Sequence, residues 1–150
     1  VLLIIGISTG FGRILTITQV PVMIADAILG LTSSKILVLL LINVLLLIVG
    51  TFMETNAAII ILTPILLPIV TRLGVNPIHF GIIVVMNLSI GFITPPLGAN
   101  LFMACQVGEI SFDKLARKIW PWIVVMVALL MLVTYIPQIS MALPEAMGVI

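Results

Sequence analysis

Apolar runs separated by short polar breaks set the elements of this chain. Ile36 to Val49 carries no charge and one polar side chain, Asn43, and it ends at Gly50-Thr51-Phe52-Met53-Glu54-Thr55-Asn56. A second apolar run, Ala57 to Val70, closes at Thr71-Arg72. Each run is about 14 residues, or about 21 Å of helix, against the roughly 30 Å of a bilayer core. Two short helices around a polar, glycine-containing turn predict a re-entrant hairpin over 36–71, with Lys35 and Arg72 at its mouth. One continuous helix over this range would be about 54 Å long and would leave Glu54 at mid-membrane. A pair of tilted spans turning at 50–56 is the alternative that stays open.

After Gly74-Val75-Asn76-Pro77, a helix is expected from Ile78 to Phe92, then a break at Ile93-Thr94-Pro95-Pro96-Leu97-Gly98-Ala99-Asn100, then a second piece to Val107. Adjacent prolines remove two backbone donors and clash with the preceding turn, so one transmembrane helix is built here from two halves. Such a break survives at membrane depth only where protein or a cavity surrounds it. The hairpin and the broken helix 78–107 make a transport unit, 35–107. Residues 108–118 hold Glu109, Asp113, Lys114, Arg117 and Lys118, and their three basic residues mark a cytoplasmic loop. Residues 119–150 supply a last span, with Trp120 and Trp122 at the interface, and a tail on the outside. Residues 1–34, interrupted by Gly6, Gly10, Gly12, Arg13 and Pro21, read as the end of one transmembrane segment followed by an interfacial arm helix. The opening at Val1, apolar and without a basic leader, reads as a start partway through a membrane segment. The arm and the last span are expected to act as a frame for the unit.

Composition fixes the solvent. Hydrophobic residues make up 63% of the 150 and charged residues 7%, with a mean hydropathy of +1.47, which assigns an all-α, polytopic membrane protein. The net charge of +1 excludes a nucleic-acid surface. Cys105 is the single cysteine and His79 the single histidine, so neither a disulfide nor a histidine-built metal site can form within the chain. No nucleophile is spaced to meet a base, so the chain is not read as an enzyme.

What repeats is one device: helix, polar break, helix. Helices ending near Gly50 and Gly91 present carbonyls, which suit a hard cation such as sodium. Helices starting near Ala57 and Leu97 present N–H groups, which favour an anion. Thr55, Asn56, Pro96, Gly98 and Asn100 lie at those starts and are the candidate substrate contacts. Helix capping by Thr55 and Asn56, and the fixed geometry of Pro96, account for the same residues without a ligand. Glu54 stays open between a protonated acid, a partner for an arginine elsewhere, and an exposed tip residue. Pro64 and Pro68 are read as kinks.

The run Gly50-Thr51-Phe52-Met53-Glu54-Thr55-Asn56-Ala57-Ala58, with Leu62-Thr63-Pro64-Ile65-Leu66-Leu67-Pro68, His79-Phe80-Gly81 and Gly91-Phe92-Ile93-Thr94-Pro95-Pro96-Leu97-Gly98-Ala99-Asn100-Leu101-Phe102, resembles the second repeat of DctM-type TRAP transporter large subunits. The order and spacing of the pieces carry the likeness over nearly the whole chain. The resemblance implies an elevator-type permease of two inverted repeats in the bacterial inner membrane. It implies sodium-coupled uptake of a small carboxylate, such as a C4-dicarboxylate or a sialic acid. A small membrane subunit and a periplasmic substrate-binding protein are the implied partners, with sodium as coupling ion and no cofactor. Sodium is implied at Gly50, Thr51, Asn56, Gly91, Thr94 and Pro95. A related anion carrier working without a binding protein, and a membrane subunit that does not transport, are the competing readings.

Overall fold

A computed structural model describes residues 34–95 and 98–148, preceded by Ile14, Ile17, Thr18, Met23, Asp26 and Gly30. The expected arm in 1–34 therefore falls largely outside the described residues, and so do Pro96 and Leu97. No strand occurs among the described residues. The helices are α1 (Lys35–Phe52), α2 (Thr55–Arg72), α3 (Pro77–Gly91), α4 (Ala99–Gly108), α5 (Phe112–Tyr135) and α6 (Pro137–Ala146).

Local chemistry sets the boundaries. Asn76 caps α3 by accepting from the Ile78 N–H at 2.8 Å, and Pro77 follows with its fixed φ at the first helical position. Gly74, at φ +69°, ends the turn after α2, where the Val75 N–H returns to the Val70 carbonyl at 3.0 Å. α1 and α2 have 18 residues each, about 27 Å apiece, and so exceed the apolar runs. Gly50, Thr51, Thr55 and Asn56 are helical, and the turn shrinks to Met53 and Glu54. Polarity does not unwind a helix; only a competing hydrogen bond or a lost one does. α2 runs on through Pro64 and Pro68. α5 begins at Phe112, so the basic segment expected as a loop forms its first two turns, and the tail folds in part as α6.

α1, α2, α5 and their apolar surfaces are long enough to cross a membrane. α1 and α3 pack most extensively and run parallel. Lys35 Nζ lies 3.4 Å from the Gly74 carbonyl beside the start of α3, and the C-terminal ends of both helices touch at Gly50 and Gly91. Phe80, Val84 and Leu88 of α3 fill the core with Val38, Leu39, Ile42 and Leu46 of α1. α5 returns antiparallel, with Thr134 beside His79 and Met126 beside Val85 and Ser89. Leu41, Val44 and Ile48 remain exposed on the outer face of α1, as lipid or further chain requires.

Candidate functional site

The two breaks meet. A Cβ placed on Gly91 would lie 2.7 Å from the Cα and carbonyl carbon of Gly50 and 2.8 Å from the Leu47 oxygen. The reverse substitution at Gly50 would press on the Leu88 and Gly91 backbones at 3.1–3.2 Å. Only two glycines allow this approach, and it joins the carbonyl-bearing end of α1 to that of α3. Each such end carries roughly half a negative charge, so two parallel helices ending together concentrate about one.

Some of the carbonyls there are already engaged. The Met53 N–H closes on Val49 O at 2.9 Å, and Gly91 O accepts the Thr94 N–H at 2.9 Å. Among the described residues no backbone donor outside the helices reaches the carbonyls of Gly50, Thr51 or Thr94. The hydroxyls beside them look backward, Thr51 Oγ1 to Ile48 O at 2.7 Å and Thr94 Oγ1 to Ile90 O at 2.6 Å. Each keeps oxygen lone pairs for a cation. Pro95 follows in the same half-buried turn.

The anion side is more occupied than the sequence implies. Glu54, and neither Thr55 nor Asn56, caps α2: its Oε2 accepts from the Ala57 N–H at 2.9 Å and its Oε1 from Asn56 Nδ2 at 2.7 Å. The chain thus places its own carboxylate on that helix start. At the second break α4 starts at Ala99 after Gly98, which sits at φ +42°. The Asn100 N–H is spent on Phe92 O at 3.3 Å and the Leu101 N–H on Gly98 O at 2.7 Å. Thr55 is half-buried, the side chains of Asn56 and Asn100 are exposed, and Gly98 is buried. Pro96 lies outside the described residues.

A buried polar ladder beneath the crossing escaped the sequence reading. Asn87 Nδ2 donates to Asn43 Oδ1 at 2.6 Å and to Ile83 O at 2.8 Å. Asn43 Nδ2 donates to Thr134 Oγ1 at 3.2 Å, whose hydroxyl donates to Leu130 O at 2.7 Å. His79 Nε2 meets Thr134 O at 3.2 Å and Nδ1 meets Ser140 Oγ at 2.6 Å. A carbonyl only accepts, so Nε2 carries a proton, while Nδ1 and the Pro137 carbonyl at 3.0 Å compete for the one Ser140 hydroxyl proton. The signal was present: His79, Ile83, Asn87 and Gly91 recur every fourth residue and share one face of α3.

The chain matches the family model of the tripartite ATP-independent periplasmic transporter DctM component over residues 1–139. It is 56% identical over 141 residues to the isethionate TRAP transporter permease protein DctMQ of Oleidesulfovibrio alaskensis, covering 94% of this chain and 22% of that one. It is 45% identical over 138 residues to the C4-dicarboxylate TRAP transporter large permease protein DctM of Pseudomonas aeruginosa, covering 92% and 32%. The sialic acid TRAP transporter large permease protein SiaM of Vibrio cholerae is 41% identical over 144 residues, covering 96% and 34%. The chain therefore spans between 22% and 34% of the length of these curated relatives.

Proposed function

The chain belongs to the DctM family of tripartite ATP-independent periplasmic transporters, and from that premise we propose that it serves sodium-coupled uptake of a small organic anion as part of the large permease subunit. The contact of Gly50 with Gly91 carries the reading. Two parallel helix ends, each roughly half a negative charge, suit one monovalent cation in a site from which lipid and protein exclude water. Gly50, Thr51, Gly91, Thr94 and Pro95 are its proposed surroundings. Asn56 donates its Nδ2 to Glu54, which leaves its Oδ1 as the atom proposed to face the cation.

The organic anion belongs beside the cation, where Thr55, Asn56, Gly98 and Asn100 are the proposed contacts of this half. Isethionate, C4-dicarboxylate and sialic acid, named for the relatives, all fit a site that balances one cation with an anion. The contacts supplied by the rest of the protein complete the selection. A small membrane subunit and a periplasmic binding protein are the proposed partners, and the bacterial inner membrane the proposed location.

The hairpin reading draws support from depth. The α1–α2 turn lies beside Gly91, where α3 stops, while α4 and the first turns of α5 continue beyond it, held by the stacked rings of Phe102 and Phe112 at 4.9 Å. A turn that halts midway along its neighbours favours re-entry over a full crossing. Hydrogen bonds from Thr134 and His79 bind α5 to α1 and α3, which favours a reading of α5 as part of the moving unit over its expected role in the frame.

The test is uptake of radiolabelled isethionate, succinate and sialic acid by the full-length transporter with its partners, with and without an inward sodium gradient. Uptake that runs equally on a proton gradient without sodium sinks the cation assignment.

A further inference from the structure

Where α5 enters the membrane, a cavity of about 280 Å³ is lined by Ile110 and three cations, Lys114, Arg117 and Lys118. The cations stand at i, i+3 and i+4, on one face of the first two turns. All three are exposed, and among the described residues the sole ion pair joins Arg72 to Asp26. Glu109 and Asp113 are close in sequence, yet neither closes a bridge to them. Three like charges around one cavity repel one another, and at the start of a helix the dipole opposes them as well. An anion relieves both.

The same face states what kind of anion. From Lys118 the exposed stripe continues through Trp122, Val125, Leu129 and Leu132, which are 69%, 53%, 51% and 44% exposed. The steps of four, three, four and three residues keep these positions on one side of α5. The stripe thus runs from cationic through aromatic to aliphatic, the order of headgroup, interface and acyl chain in a lipid leaflet. A soluble phosphate would use the cations and leave the stripe without purpose. The inward face is separate, with Ile123, Leu130 and Thr134 buried against the core.

We propose that Lys114, Arg117 and Lys118 form a binding site for the phosphate headgroup of an anionic glycerophospholipid, whose acyl chain lies along Trp122, Val125, Leu129 and Leu132. The size of the cavity suits a headgroup, since sites for whole drug-sized ligands run from about 300 to 1,000 Å³. This site is independent of the coupling ion and of the helix breaks.

Native mass spectrometry of the full-length transporter with its partner subunits tests it, with phosphatidylglycerol, phosphatidylcholine and inorganic phosphate as probes. Phosphatidylglycerol is expected to bind in preference to phosphatidylcholine, with no displacement by millimolar phosphate. Arg117→Gln with Lys118→Gln should weaken that preference about fivefold per residue, equivalent to about 1 kcal/mol each. Because basic residues also set topology, a second variant adds Glu109→Lys and Ser111→Lys to restore the count. Recovery of the preference in that variant would mean diffuse charge attraction and overturn the site. So would equal binding of the two lipids, a preference untouched by the double substitution, or displacement by phosphate. A stripe covered by the rest of the transporter would show no phosphatidylglycerol preference and fail on the same readout.

Discussion

At the scale of single residues, Gly91 has the least freedom. Alanine there must push α1 and α3 apart, because the atoms it meets are backbone, and overpacking of this kind costs about 1–3 kcal/mol. Gly91→Ala should abolish most uptake and raise the sodium concentration for half-maximal rate, whereas Gly81→Ala, with nothing within 4 Å of its Cβ, should leave both unchanged. Uptake assays at matched expression decide this. Thr94→Val removes an oxygen beside the crossing while Ile90 O keeps the Ile93 N–H at 3.2 Å. It should therefore raise the sodium requirement more than it lowers protein abundance. Asn43 and Asn87 are both fully buried, so leucine at either one strands a partner, at about 1–3 kcal/mol. The double Asn43→Leu, Asn87→Leu variant should lose clearly less than the two singles summed. Thermal unfolding of the purified full-length protein measures the cycle, and strict additivity would remove the ladder from the account. Asn87 Oδ1 is buried without a partner, so part of the Asn87 loss is already spent in the native state.

At the scale of elements, the hairpin returns its ends to one side. Lys35 and the segment after Arg72 meet at the Gly74 carbonyl, while the cations of α5 lie at the opposite end of an antiparallel helix. In a background lacking Cys105, cysteines replacing Lys35 and Arg72 should both react with an impermeant reagent added outside, and one replacing Lys114 should not. Labelling of 35 and 72 from opposite sides would require a full crossing between them. The apolar runs located these helices because helix surfaces in lipid are uniformly apolar. They misjudged the ends, because a polar residue in a last turn stays helical wherever its hydrogen bonds are met. Glu54 illustrates this: α1 runs to Phe52, and two residues later the Glu54 carboxylate caps α2.

For the whole molecule, the ladder from Asn87 through Asn43 to Thr134 and His79 ties three helices to one another. These bonds lie in the core, where each broken one exposes a polar group to an apolar surrounding, so in the proposed elevator motion α1, α3 and α5 are expected to travel together. Ser89 and Met126 line one apolar pocket between α3 and α5. A crosslink between cysteines at these two positions, in the Cys105-free full-length transporter, should leave most uptake intact. Loss of uptake at full crosslinking yield, with sodium binding retained, would place α5 in the frame.

Composition and the spacing of residues near one another in the chain are enough to assign the solvent, the helical class, the two breaks and the family likeness. Gly50, Thr51, Gly91 and Thr94 could be named as candidates on those grounds. Their assembly could not. That Gly50 packs on Gly91, that Glu54 caps the helix start offered to an anion, and that Asn43, Asn87 and Thr134 bond across the core are contacts between residues up to 91 positions apart. Side-chain spacing along one helix says which residues share a face. Which face another helix covers is settled only by the packing that buries both, and here that packing brings two separate polar interruptions into contact at Gly50 and Gly91.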